Sequence, residues 1–199
     1  TEGELTRYLI ELAWNVDRAL TEHALDEQLA RSDLLAEDRL WFLRRRARLT
    51  AVRALGQPAP IARQHVAAAV SLLERNRDTL PPGGKQDAID LEQARVLYEA
   101  AARLSIPENL REQYLDHALL TLQAVEYRRS PAATDAEVEA ELFWLLGELH
   151  YIQDRPERAL EYFDRVAREH RDSRYALASR LGMAKSFALN GQNRKALDS

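Results

Sequence analysis

Apolar residues recur along this chain at intervals of three and four, and no segment alternates convincingly with the two-residue period of a strand. At the N-terminus Leu5, Leu9, Leu12, Ala13, Val16 and Leu20 keep helical spacing. That pattern predicts one helix from about Glu4 to His23, followed by a short one near Asp26 to Arg31. The next predicted helix, Glu37 to Leu55, is closed by Gly56 and the Pro58-Ala59-Pro60 turn, because Gly suits a helix C-cap and Pro cannot continue a helix. Its apolar residues Leu40, Trp41, Phe42, Leu43, Leu49, Val52 and Leu55 do not share one stripe. A helix apolar around most of its girth is packed on several sides.

Proline sets the larger rhythm. Pro60, Pro107 and Pro156 each open a helix, where the missing N–H costs nothing, and lie 47 and 49 residues apart (107−60, 156−107). The predicted pairs are Glu37–Leu55 with Pro60–Arg77, Gln86–Leu104 with Pro107–Arg128, and Asp135–Gln153 with Pro156–His170. A fourth begins near Ser173. Pro81-Pro82-Gly83-Gly84 and Ser130-Pro131-Ala132-Ala133-Thr134-Asp135 punctuate the pairs, the second ending in N-cap residues. Both are too short for a flexible linker. The organisation expected is one domain: N-terminal helices over 1–33, two long hairpins over 36–128, and two shorter repeats over 133–199, with Pro81–Gly84 as the plausible internal boundary.

The segment Val138 to Tyr151, followed by Pro156 to Phe163, resembles a tetratricopeptide repeat (TPR). Phe143, Leu146, Gly147, His150, Ala159, Phe163 and Val166 fall on the family's pattern positions, with His150 in place of the usual tyrosine and Arg171 in place of the terminal proline. A second, truncated repeat starts at Tyr175, and its equivalent alanine, Ala196, lies 37 residues on (196−159). The lead-in His170-Arg171-Asp172-Ser173-Arg174-Tyr175-Ala176 is similar to that of bacterial cell-envelope TPR proteins. The resemblance covers residues 135–199 well and the two preceding pairs in outline. It implies an all-α fold, a right-handed α-solenoid of antiparallel helical hairpins whose concave groove binds a segment of a partner protein. In the family register Glu141, Trp144, Glu148 and Tyr151 line that groove, joined by Lys185 from the following repeat. An acidic and aromatic face of this kind suits a basic partner, whose Lys or Arg could stack on a ring and pair with a carboxylate.

Composition narrows the alternatives. A formal net charge of −4 gives no case for a nucleic-acid or membrane partner from overall charge, and the absence of Cys excludes disulfides and thiol chemistry while leaving the compartment open between periplasm and cytoplasm. No apolar run is long enough to span a membrane, so no membrane insertion is expected. No nucleotide-binding, nucleophile-elbow or metalloprotease motif occurs, and the five histidines are scattered. No catalysis, cofactor or metal is therefore expected. Two charge blocks stand out. Between Arg39 and Leu73 lie Arg44, Arg45, Arg46, Arg48 and Arg53 with no acid among them, a basic patch that an anionic partner such as nucleic acid could use. From Ser130 to Asp154 the charges are all acidic. Three functions are thus weighed: a protein-interaction scaffold or adaptor, a nucleic-acid-binding helical repeat, and the regulatory region of a larger enzyme. The opposed blocks also suggest weak head-to-tail self-association. Finally, the last helix lacks its closing apolar residue, so the natural chain is expected to continue past Ser199.

Overall fold

In the computed structural model, residues 2–14, 16–129 and 135–191 are described, and every regular element among them is a helix. They are α1 (Glu2–Trp14), α2 (Arg18–Ala30), α3 (Ala36–Val52), α4 (Ala59–Arg77), α5 (Gly84–Arg103), α6 (Glu108–Arg128), α7 (Ala136–Ile152), α8 (Pro156–Glu169) and α9 (Ala176–Leu189). From α3 to α9 the boundaries follow the Pro and Gly signals. Gly56 and Gly83 take positive φ of 74° and 89°, which a side chain disfavours, and Pro60 and Pro156 sit in the first turns of α4 and α8.

One correction falls at the N-terminus, where the expected helix over Glu4–His23 is two helices. Asp17 has extended backbone, and its carboxylate accepts hydrogen bonds from the amides of Ala19 and Leu20 at 2.9 and 3.0 Å. That N-cap starts a new helix within a continuous apolar rhythm. The expected short helix at Asp26–Arg31 is the end of α2.

Contacts divide the chain into two compact units, residues 1–114 and 115–199, with the division inside α6. Pro81–Gly84 lies within the first unit. There α1 packs on α2, α2 on α3, and α3 on both α4 and α5, which also pack together. Ile10, Leu25, Phe42 and Leu49 form a buried cluster with Trp14 and Trp41 at its edge. The many-sided apolar pattern of α3 reflects these three packing partners.

In the second unit α8 lies against α7 and α9, which also touch each other. His150 stacks on Tyr162 at 5.5 Å and Phe143 meets His170 at 6.2 Å, so sequence positions rise on α7 as they fall on α8 and the two helices are antiparallel. Gly147 and Ala159 are fully packed helix contacts, as their small size suggests. The close approach is between glycine and ring. A Cβ at Gly147 would stand 2.5 Å from the Phe163 ring, and one at Gly182 would stand 2.5 Å from the same ring. Phe163 is gripped between two glycines on neighbouring helices, a separation available only where neither has a side chain. The expected closing of the last hairpin around Ala196, and continuation past Ser199, fall on residues 192–199, outside the described residues.

Candidate functional site

Helix α7 carries four of the five expected groove residues. Asp135 caps it by accepting from the Glu137 amide at 2.8 Å, and Glu137 and Glu139 favour its N-terminal dipole. At its other end Asp154, at φ 57°, turns the chain into Pro156 and α8.

Along α7 the groove residues part company. Glu141 is only 1% exposed and its carboxylate lies 3.7 Å from the Arg174 guanidinium. Arg174 lies over the ring of Tyr175 at 4.9 Å, and Tyr175 stacks on Trp144 at 5.3 Å and 26°. Glu137 completes the attachment, accepting from the Ser173 hydroxyl at 3.0 Å and from the Arg174 amide at 3.3 Å. Thus the stack and ion pair expected of an incoming cation at Glu141 and Trp144 are made by the chain's own Arg174 and Tyr175. Glu148 and Tyr151 remain partly exposed one and two turns further along, and Lys185 is exposed on α9. Arg174 and Tyr175 were not singled out from sequence. Their signal was the polar lead-in to the second repeat, with an aromatic at its end.

On the α8 side, Tyr162 stacks between Phe143 and His150, and its hydroxyl donates to Glu126 at 3.1 Å. Burial, reinforced by the Glu126 carboxylate, pushes Tyr162 up to about 12, so it stays protonated and structural. Burial also holds His150 below its ordinary 6.5, with Arg155 and Arg158 pushing the same way. His170 is lowered by burial too, beside Glu139, which pairs with Arg129. Arg129 and Arg165 both lie over the Phe143 ring, 4.9 and 3.9 Å from its centroid. These histidines meet rings and cations. Among the described residues no three His, Asp or Glu converge as metal ligands would.

The arginine block of α3 is basic in sequence and neutralised in space. Arg44 and Arg48 converge on Glu92 of α5, at 2.8 and 2.5 Å, and Glu92 is wholly buried. Burial alone would raise its pKa, but the bonds from Arg48 and Arg44 prevail and hold it at about 2. Arg45 pairs with Glu11, Arg46 with Glu22 and Asp26, and Arg53 with Glu22. The five arginines therefore fasten α3 to α1, α2 and α5 rather than standing as an unpaired cationic stripe.

A cleft of about 500 Å³ lies beside α4, lined by Ala59, Pro60, Arg63, Gln64, Ala67, Pro107 and Leu110. It is wide and mostly apolar, with no convergent acid–base pair.

The chain matches no protein-family model, no curated protein and no solved structure, so its functional reading rests on the geometry above.

Proposed function

We propose that this chain is a protein-interaction scaffold of the TPR type, a right-handed α-solenoid that holds a partner segment along one face and does no chemistry itself. The observation that supports it is the Phe163 ring held between Gly147 and Gly182. It brings three helices close together, which supports the reading because repeat proteins build a continuous binding face by stacking helices closely. Since Glu141 and Trp144 are engaged by Arg174 and Tyr175, the reading places the partner on the remainder of that face, at Glu148, Tyr151 and Lys185. Tyr151 is the anchor, because a partly exposed aromatic supplies contact area at low entropic cost.

The test uses random peptides displayed on phage and selected against the 199-residue chain. Selected peptides should lose about tenfold or more in affinity for a Tyr151→Ala, Lys185→Glu double variant of unchanged helicity. Peptides that bind the double variant equally well would remove the groove. A selection that enriches no peptide would remove the scaffold reading itself.

A further inference from the structure

The cleft beside α4 combines an apolar surface with two polar side chains. Pro60 and Ala67 of α4 line it together with Leu110 of α6 and Pro107 just before that helix. Proline has no N–H, so these two prolines offer a ligand no backbone donor. The polar groups come from Arg63 and Gln64, and no carboxylate lines the cleft. At about 500 Å³ it has the size of a small-molecule site.

Arg63 is the last cation of the arginine block, and it differs from those before it. Arg44, Arg45, Arg46, Arg48 and Arg53 are held by the carboxylates of Glu92, Glu11, Glu22 and Asp26, and Arg77 at the far end of α4 is held by Asp90 at 2.8 Å. Arg63 and Gln64 are exposed, and neither has an ion-pair or hydrogen-bond partner among the described residues. Glu108, next to Pro107, pairs with Arg111 at 3.5 Å. Burial raises the Tyr114 phenol and the nearby Arg63 guanidinium draws it back, which sets Arg63 close to the α6 wall. A neutral phenol does not cancel the charge of a guanidinium. Arg63 therefore meets the cleft uncompensated.

We propose that this cleft binds a small monocarboxylate with an apolar body, an aryl or medium-chain alkyl acid. The Arg63 fork takes the carboxylate through two parallel hydrogen bonds, Gln64 donates another, and the body lies on Pro60, Ala67, Pro107 and Leu110. One guanidinium and one amide suit the two oxygens of a carboxylate. A phosphate group brings a third acceptor oxygen and up to twice the charge, which one cation does not match. A peptide is a poorer occupant, because each of its residues carries an amide N–H and a carbonyl for which the lining side chains beyond Arg63 and Gln64 offer no partner. The site lies wholly within unit 1 and uses none of the groove residues, so it does not rest on the peptide-binding reading. Because Arg63 is exposed its charge is screened, and the dissociation constant expected for a ligand of this size is about 0.1–1 mM.

Titration of the 199-residue chain with naphthylacetate and with octanoate, followed by amide shifts in two-dimensional NMR, tests it. At least one acid should bind with a Kd of about 1 mM or below and move the amides of Gln64 and Leu110. Naphthylacetamide and octanamide, similar in shape but uncharged, should bind about tenfold more weakly or worse. Arg63→Gln should cost the acids about tenfold in affinity, and Ala67→Leu, which fills one wall, should abolish their binding. Both positions are exposed, so the fold should survive, with circular dichroism as the check. Arg75→Gln, on the same helix but outside the cleft, should change nothing. Absence of binding by either acid up to about 10 mM would overturn the proposal. So would equal binding of acid and amide, or a loss in Arg75→Gln as large as in Arg63→Gln. Tighter binding of acetyl-leucyl-leucine than of either acid would assign the cleft to a chain end and overturn the small-molecule assignment.

Discussion

Both units bury apolar side chains between their helices, but the first adds arginine–carboxylate pairs at several of its helix crossings, whereas the second adds rings set against glycines and against one another. Arg44 and Arg48 meet Glu92, Arg46 meets Glu22 and Asp26, and Arg77 meets Asp90 at 2.8 Å. Across unit 2, by contrast, Phe163 meets Gly147 and Gly182, Tyr162 meets Phe143 and His150, and Trp144 meets Tyr175. The two devices differ in what they contribute. Burying a carboxylate loses hydration that its ion pairs only partly restore, so such pairs select which helices meet more than they add stability. Burying a ring gains transfer free energy and contact area directly. Both units are therefore stabilised by packing, and unit 1 should draw more of its specificity from charge geometry.

The largest expected effect is in unit 2. Phe163→Ala should cost about 3–5 kcal/mol, because the fully buried ring leaves a cavity between two glycines whose backbones cannot close it. Chemical denaturation followed by Trp144 fluorescence measures it. A loss below about 1 kcal/mol would mean that the helices collapse onto the space and that packing is not what holds unit 2. In unit 1, Glu92→Gln should cost about 2 kcal/mol, less than the ~3–5 kcal/mol for stranding an enclosed charge. The reason is that Arg44 and Arg48 keep 21% and 32% of their side chains exposed and can turn to water. Trp14 and Trp41 report on that unit. If Glu92→Gln proves as costly as Phe163→Ala, the contrast between the units disappears.

Acid should separate the units more gently. The folded chain holds His150 and His170 below 6.5, so the unfolded chain takes up protons there at higher pH than the folded one. Their contribution is thus present above about 6.5 and lost as pH falls below it. Glu92 runs at a lower window: its carboxylate is depressed from 4.5 to about 2, so its contribution stays whole above 4.5 and fades only towards 2. Thermal melts between neutrality and pH 5 should lower the transition seen by Trp144 before the one seen by Trp14 and Trp41. Equal shifts in both would show that the histidines are not the first groups to yield.

Helix positions from α3 onward were legible because Pro and Gly act locally, within the few residues that they punctuate. The break at Asp17 was not, because Leu12, Val16 and Leu20 continue the same period across it. Periodicity also tells that residues share a face without telling which face is covered. Leu5, Leu9 and Leu12 share one, yet it is Ile10 that enters the core. Gly147 and Ala159 could be recognised as contact points, since small residues in apolar surroundings have few other uses. The fate of the arginines could not. Glu92 lies 48 and 44 residues from Arg44 and Arg48, and no local pattern links a basic run to one acid that far away. The same distance rule hid Arg174, which lies in the turn before α9 while its partner Glu141 is in α7.

Phe163 also bears on where the chain could be cut. The resemblance in sequence would set α7 and α8 apart as a two-helix module, but the ring's second wall is Gly182, beyond any boundary drawn after His170. A fragment ending there would present one face of a large apolar ring to water, and would either recruit a foreign helix or aggregate. A fragment cut from this region should accordingly keep α7, α8 and α9 together. Amide protons in the middle of α8 should exchange only when that whole piece opens, as a single cooperative step rather than by fraying from either neighbour.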